Sequence, residues 1–158
     1  MKKIFAELGL VAFIGLLSLS VGANTRNITE YNLQSGVGLK GYDPVAVFPE
    51  GGGAPKEGRQ QYQVSYEGVT YLFANKKNSE LFEANPTKYE PTYGGYCAWA
   101  MYYGEKVDVK PDVYTMNGNR ANYFASRFAK FRFDSNVEKH QAGADVNWRK
   151  FSGEEPRF

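Results

Sequence analysis

Apolar and polar positions alternate with a period of two over residues 61–66 and again over 69–74, with only Glu67-Gly68 between the two runs. That is the pattern of two half-buried strands joined by a two-residue hairpin turn. Residues 112–116 and 120–124 repeat it around Asn117-Gly118 and predict a second hairpin. Between the hairpins the period lengthens. Asn75 is placed to cap a helix to about Glu83 with Leu81 and Phe82 inward, and Asn85-Pro86 opens a turn that Pro91 closes. Residues 92–103 predict one short helix ending near Gly104.

Further along, Phe124, Phe128 and Phe131 share one helical face, with Arg127, Lys130 and Arg132 pointing away. Ser135 and Glu138 have capping-box spacing for a last helix that Gly143 can end, which puts His140 in its final, solvated turn. Upstream, residues 24–38 form a polar leader with weak strand character. Residues 41–48 read as a turn feeding a short apolar strand, and the glycine-rich stretch 50–58 as a loop. Hairpins followed by helices, without an internal repeat, give an α+β class: a small single domain of two β-hairpins packed against several short helices.

The N-terminus has a different character. Lys2 and Lys3 precede an apolar run of 12 residues, 8–19, and Val21-Gly22-Ala23 presents a signal-peptidase site. A bilayer-spanning helix needs about 20 residues, so the run is a secretory leader, removed after Ala23. The divisions are then a signal peptide over 1–23, a leader segment over 24–40, the main domain over 41–150 and a tail over 151–158. The expected location is the periplasm or the medium, with no membrane anchor left after cleavage. Loss of Lys2, Lys3 and Glu7 takes the formal charge from +2 to +1. Without basic clusters this argues against nucleic acid as the partner.

Cys97 is the only cysteine and cannot form an intrachain disulfide, so stability rests on a core rich in aromatic rings. Two readings of Cys97 stay open: a thiolate favoured by helix amides after Gly94-Gly95, or a small buried hydrophobe. Around it Tyr93, Tyr96, Trp99, Tyr102 and Tyr103 either wall a ligand pocket or belong to the core. His140, the only histidine, is the one available imidazole partner. Cys97 and His140 are the weak metal candidates, and no catalytic constellation, phosphate loop or dinucleotide motif is present. The cofactor is unspecified, and no structural metal is expected.

Asp43-Pro44-Val45, then Tyr66-x-Gly68-x-x-Tyr71-x-Phe73, then Phe82-x-Ala84-Asn85-Pro86-x-Lys88-Tyr89, Tyr93-Gly94-Gly95-Tyr96-Cys97-Ala98 and Ala144-Asp145-x-Asn147-Trp148 together resemble the YHS family, in particular its exported branch. The resemblance runs over roughly residues 41–148 and implies a compact α+β domain of loosely defined function. Metal-handling members of that family place cysteines where this chain has Ala46, Ala74 and Asn78. Thiolates are what select zinc or copper(I), and alanine coordinates nothing. The metal association is therefore not carried over, and the reading taken is a YHS-type binding module without catalysis that engages a small ligand or metal ion weakly near Cys97. A thiol-dependent redox protein and a protein-interaction module with an exposed aromatic patch are the alternatives. Protein recovered from the exported fraction of its host is expected to begin at Asn24. An intact mass that retains residues 1–23 overturns the export assignment.

Overall fold

The computed structural model describes residues 26–157, so the leader at 1–23 and its cleavage junction lie outside the described residues. Among the described residues are six strands in two sheets and five α-helices, the α+β arrangement that the pattern predicts. Strands β1 (Leu33–Gln34) and β2 (Val37–Gly38) form a small hairpin whose turn residues, Ser35 and Gly36, both have positive φ. Strands β3 (Arg59–Tyr66) and β4 (Val69–Phe73) form the hairpin read from the alternation. Glu67 (φ 46°) and Gly68 (φ 88°) make its turn, which matches the twist of the flanking strands. β2 runs parallel to β4 through Val37 and Thr70, giving the order β1-β2-β4-β3. The second sheet is the hairpin of β5 (Lys110–Asn117) and β6 (Arg120–Phe124).

Helix α1 (Lys76–Ala84) begins where expected, its Asn75 side chain accepting from the Asn78 amide at 2.9 Å. It buries Phe82 against Tyr71 and Phe73, with ring centroids 5.0 and 5.1 Å away. The Asn85-Pro86 turn becomes a short helix, α2 (Pro86–Tyr89), because Pro86 is preset for a first helical position and Asn85 caps it. Helix α3 is only Ala98–Tyr102, followed by α4 (Arg127–Asp134) and the long α5 (Val137–Ser152).

Several expectations are corrected. Residues 43–48 form buried turns and no strand, because the Asp43 side chain accepts from the amides of Val45 and Ala46 at 2.8 and 3.2 Å and curls the chain. The single helix over 92–103 breaks in two, since Tyr93, Gly94 and Gly95 all have positive φ. The second hairpin turns on Gly118-Asn119, one residue later than expected, with φ 58° at Gly118. Helix α5 starts from Asn136, whose side chain accepts from the Lys139 amide at 3.1 Å, and passes through Gly143 to a left-handed Gly153. Gly143 is inside a helix because Tyr102 lies on it: a Cβ there would meet the ring at 2.5 Å. His140 is thereby in the first turn and buried, not in a solvated last turn.

The face of α4 is also reversed. Ala129 and Phe133, spaced i, i+4, turn inward, Phe133 lying 5.2 Å from Phe124, while Phe128 and Phe131 are each 69% exposed. Phe124 belongs to β6, so a helical period counted from it carries the wrong phase into α4.

The two ends of the domain converge on one carboxylate. Glu90 is buried; its Oε1 accepts from Arg26 at 2.7 Å and from the Tyr71 hydroxyl at 3.0 Å, and its Oε2 from Arg157 at 2.8 Å. Arg26 also lies over the rings of Tyr31 and Tyr66, at 4.9 and 5.2 Å. The stretch read as a leader thus packs onto the domain, and the tail does too. A Glu90→Ala variant leaves two guanidinium groups facing a buried void, so urea unfolding should show a loss of about 3–5 kcal/mol. A loss below about 1 kcal/mol, the scale of exposed ion pairs, would overturn the clamp.

Candidate functional site

The segment leading to Cys97 is set by backbone geometry. Tyr93 takes φ 57°, a left-handed conformation uncommon outside glycine, and its hydroxyl holds it there. That hydroxyl donates to Asp145 at 2.7 Å, while Arg120 donates to it at 3.2 Å and closes on both oxygens of Asp145 at 2.7 and 3.0 Å. Burial pushes the Tyr93 phenol well above its ordinary pKa, so it stays a donor. Gly94 follows because the chain runs against Trp148: a Cβ at Gly94 would lie 2.7 Å from that ring. The glycine pair thus serves close packing of the 92–95 segment on α5, with Gly95 continuing the left-handed run.

Cys97 is 1% exposed and is the residue before α3, with its carbonyl accepting from the Met101 amide and its own amide donating to Val107 at 2.9 Å. The thiol is packed in the central apolar cluster with Ala98, Met101 and Tyr93. Tyr96 lies beneath the Lys106 ammonium, 5.9 Å from the ring centre. Trp99 and His140 meet directly: ring centroids 4.9 Å apart and close to perpendicular. His140 Nδ1 donates to the Phe133 carbonyl at 2.8 Å, since a carbonyl oxygen only accepts. Of the sequence candidates, Tyr93 and Cys97 are therefore core, Tyr96 packs under Lys106, and Trp99 joins His140 in an aromatic cluster.

That cluster reaches the surface. Trp99 stacks on Tyr102 at 5.7 Å and takes the edge of Tyr103 at 5.0 Å, and Tyr103 is 61% exposed. Across from it, Arg132 of α4 lies over the Trp99 ring at 5.7 Å. Phe128 and Phe131 share the solvent side of α4 with Arg132, being one turn apart in i, i+3, i+4 spacing. Arg127, also exposed, lines a cleft of about 480 Å³ at the start of α4 with Lys130, Asp112 and Tyr114. Exposed rings and guanidinium groups thus interleave from α4 to α3. Sequence reasoning named Trp99 and Tyr103 and raised an exposed aromatic patch, but it turned Phe128 and Phe131 inward; the visible signal was Phe-x-x-Phe between arginines.

Thiolate metal chemistry, the expectation attached to the resemblance, finds no fit. Ala46, Ala74 and Asn78 do converge, around Asp43: the two backbone amides donate to its carboxylate at 3.2 and 2.9 Å and the Asn78 amide at 2.6 Å. Every atom aimed at the carboxylate is a hydrogen-bond donor, and a cation there would face hydrogens in place of lone pairs. Among the described residues, no three His, Cys, Asp or Glu side chains are grouped as a metal ion needs. Nearby, the buried Tyr123 hydroxyl has no partner, and burial followed by the Asp43 charge raises its pKa.

Burial of Cys97 gives a direct expectation for its reactivity. A maleimide should label the folded protein at least about a hundredfold more slowly than the unfolded chain, since exposure controls thiol reaction. Cys97→Ser, which places a hydroxyl among apolar neighbours, should lower stability by about 1–3 kcal/mol. Rapid labelling of the folded protein, with Cys97→Ser harmless, would return Cys97 to the list of working thiols.

No curated protein and no solved structure matches the chain. The YHS domain family model matches residues 55–93, which takes in β3, β4, α1, α2 and the chain up to Tyr93. Over that stretch the chain is similar to the YHS domain family.

Proposed function

We propose that the protein is an exported YHS-type module that works by docking, with the exposed aromatic and basic side chains of α4 and α3 as its contact surface. One observation carries this reading. Phe128 and Phe131 are each 69% exposed on one short helix, although the same helix has Ala129 and Phe133 to anchor it. Isolated exposed apolar side chains are ordinary; a contiguous group rimmed by charge marks a contact surface. Trp99, Tyr103 and Arg132 extend it with the residue types enriched in recognition surfaces.

The small-ligand and thiol-redox readings both need a path to the Cys97 sulfur. At 1% exposure that path is closed unless the packing around the thiol opens. Docking needs no such opening.

A photo-cross-linking residue placed at Phe131 tests the reading in intact cells of the host, with Glu80 on α1 as an exposed control. Adducts are expected at 131 and not at 80. Equal labelling at both positions, or none at 131, removes the docking surface.

A further inference from the structure

Charge complementarity, together with the choice of aromatic side chains, names the partner of this surface. The one ion pair of α4 among the described residues joins Lys130 and Asp134, which leaves the guanidinium groups of Arg127 and Arg132 unneutralised on either side of the two phenyl rings. Asp134 accepts from the Thr115 hydroxyl at 2.7 Å as well, so its charge is turned back toward the domain. Arg127 borders the cleft at the beginning of α4, and Arg132 leans on Trp99 at the other end. Two apolar rings therefore project between two cations, and Trp99 and Tyr103 lie beside them at the rim. We infer that this face binds the surface of an anionic phospholipid membrane, with Phe128 and Phe131 entering the headgroup–acyl boundary and Arg127 and Arg132 meeting the phosphates.

Each part has a physical role. Phenyl rings gain by leaving water for the acyl boundary, and long guanidinium stems let the charge stay at headgroup level. Tryptophan and tyrosine, each with an apolar body and a polar tip, suit the same depth. A protein partner offers a weaker match, because a stable protein interface covers about 800 Å² on each side, more than two projecting rings on an eight-residue helix supply. No helix among the described residues is long and apolar enough to cross a membrane. Two rings and two cations are the scale of a weak, salt-sensitive attachment.

The inference rests on the docking reading, and the experiment separates the two. Protein purified from its host is sedimented with vesicles of phosphatidylcholine alone and of phosphatidylcholine with phosphatidylglycerol. It should pellet with the anionic vesicles, and less so as salt rises. F128S/F131S should bind about tenfold or more weakly with an unchanged melting curve, because neither ring is part of the core. R127Q/R132Q should bind anionic vesicles about thirtyfold more weakly, at roughly fivefold per cation, and leave the weak binding to phosphatidylcholine as it was. Failure of the unaltered protein to pellet, or pelleting that either double variant leaves intact, overturns the membrane assignment. If vesicles fail while the cross-linker at position 131 forms a protein adduct, docking stands and the lipid partner falls. If both fail, the docking reading falls too.

Discussion

A carboxylate taken out of water must be met by cations and hydroxyl donors, and Glu90 is met by residues from three separate parts of the chain. Arg26 comes from the start of the described chain, Tyr71 from β4 and Arg157 from its end, while Glu90 itself leads into the Tyr93 segment. Each of these groups would be costly to bury alone. Glu67 and Glu154 face the remaining guanidinium edges, at 2.7 and 3.6 Å from Arg26. The consequence is positional. With Glu90 fixed, the residues just after it take the left-handed path that lays Gly94 on Trp148, and Arg120 with Asp145 clamps Tyr93 from the other side. Two buried ion pairs thus bracket the segment that delivers Cys97 to the core.

Much of the scaffold was legible because its signals are local. The alternation over β3 and β4, the two-residue turn at Glu67-Gly68 and the Asn75 cap each depend on a few adjacent residues, and each appears where the pattern puts it. What sequence could not supply was tertiary. Asp43 before Pro44 reads as a turn former, but that its two accepted amides carry the turn through residues 43–48 in place of a strand is seen only in the fold. Gly143 reads as a helix end until Tyr102 is seen on top of it. His140 depended on that misplaced end, and once α5 runs on to Ser152 the imidazole falls inside, against Trp99 and Tyr102.

The chemical candidates were legible as residues but not as a site. Cys97 and His140 are single in the sequence, which draws attention to both, yet each serves packing: the thiol in the central cluster, the imidazole through Phe133. Ala46, Ala74 and Asn78, the positions at which the resemblance led to an expectation of thiols, come together around Asp43. There the backbone amides of Ala46 and Ala74 and the side-chain amide of Asn78 close the carboxylate in hydrogen bonds. A fold can keep the geometry of a site and lose its chemistry, because geometry comes from the backbone and ligation from a few replaceable atoms.

The most instructive failure is α4. Periodicity assigned Phe128 and Phe131 to the core because aromatic rings normally end up there, and with Phe124 they fit one helical face. The fold uses Ala129 and Phe133 in their place, and Phe133 alone fills the space beside Phe124 and His140. Two rings are then surplus to packing. Exposed rings cost solubility without stabilising the domain, and places where the folding pattern breaks are where function is expected to have set the residue. The arginines beside them sharpen the argument: lysine or glutamate would mask the rings equally well, whereas unpaired guanidinium groups add a preference for anions. The charge and the apolar surface on this helix therefore have one explanation in common, a partner that is oily beneath and negative at its face.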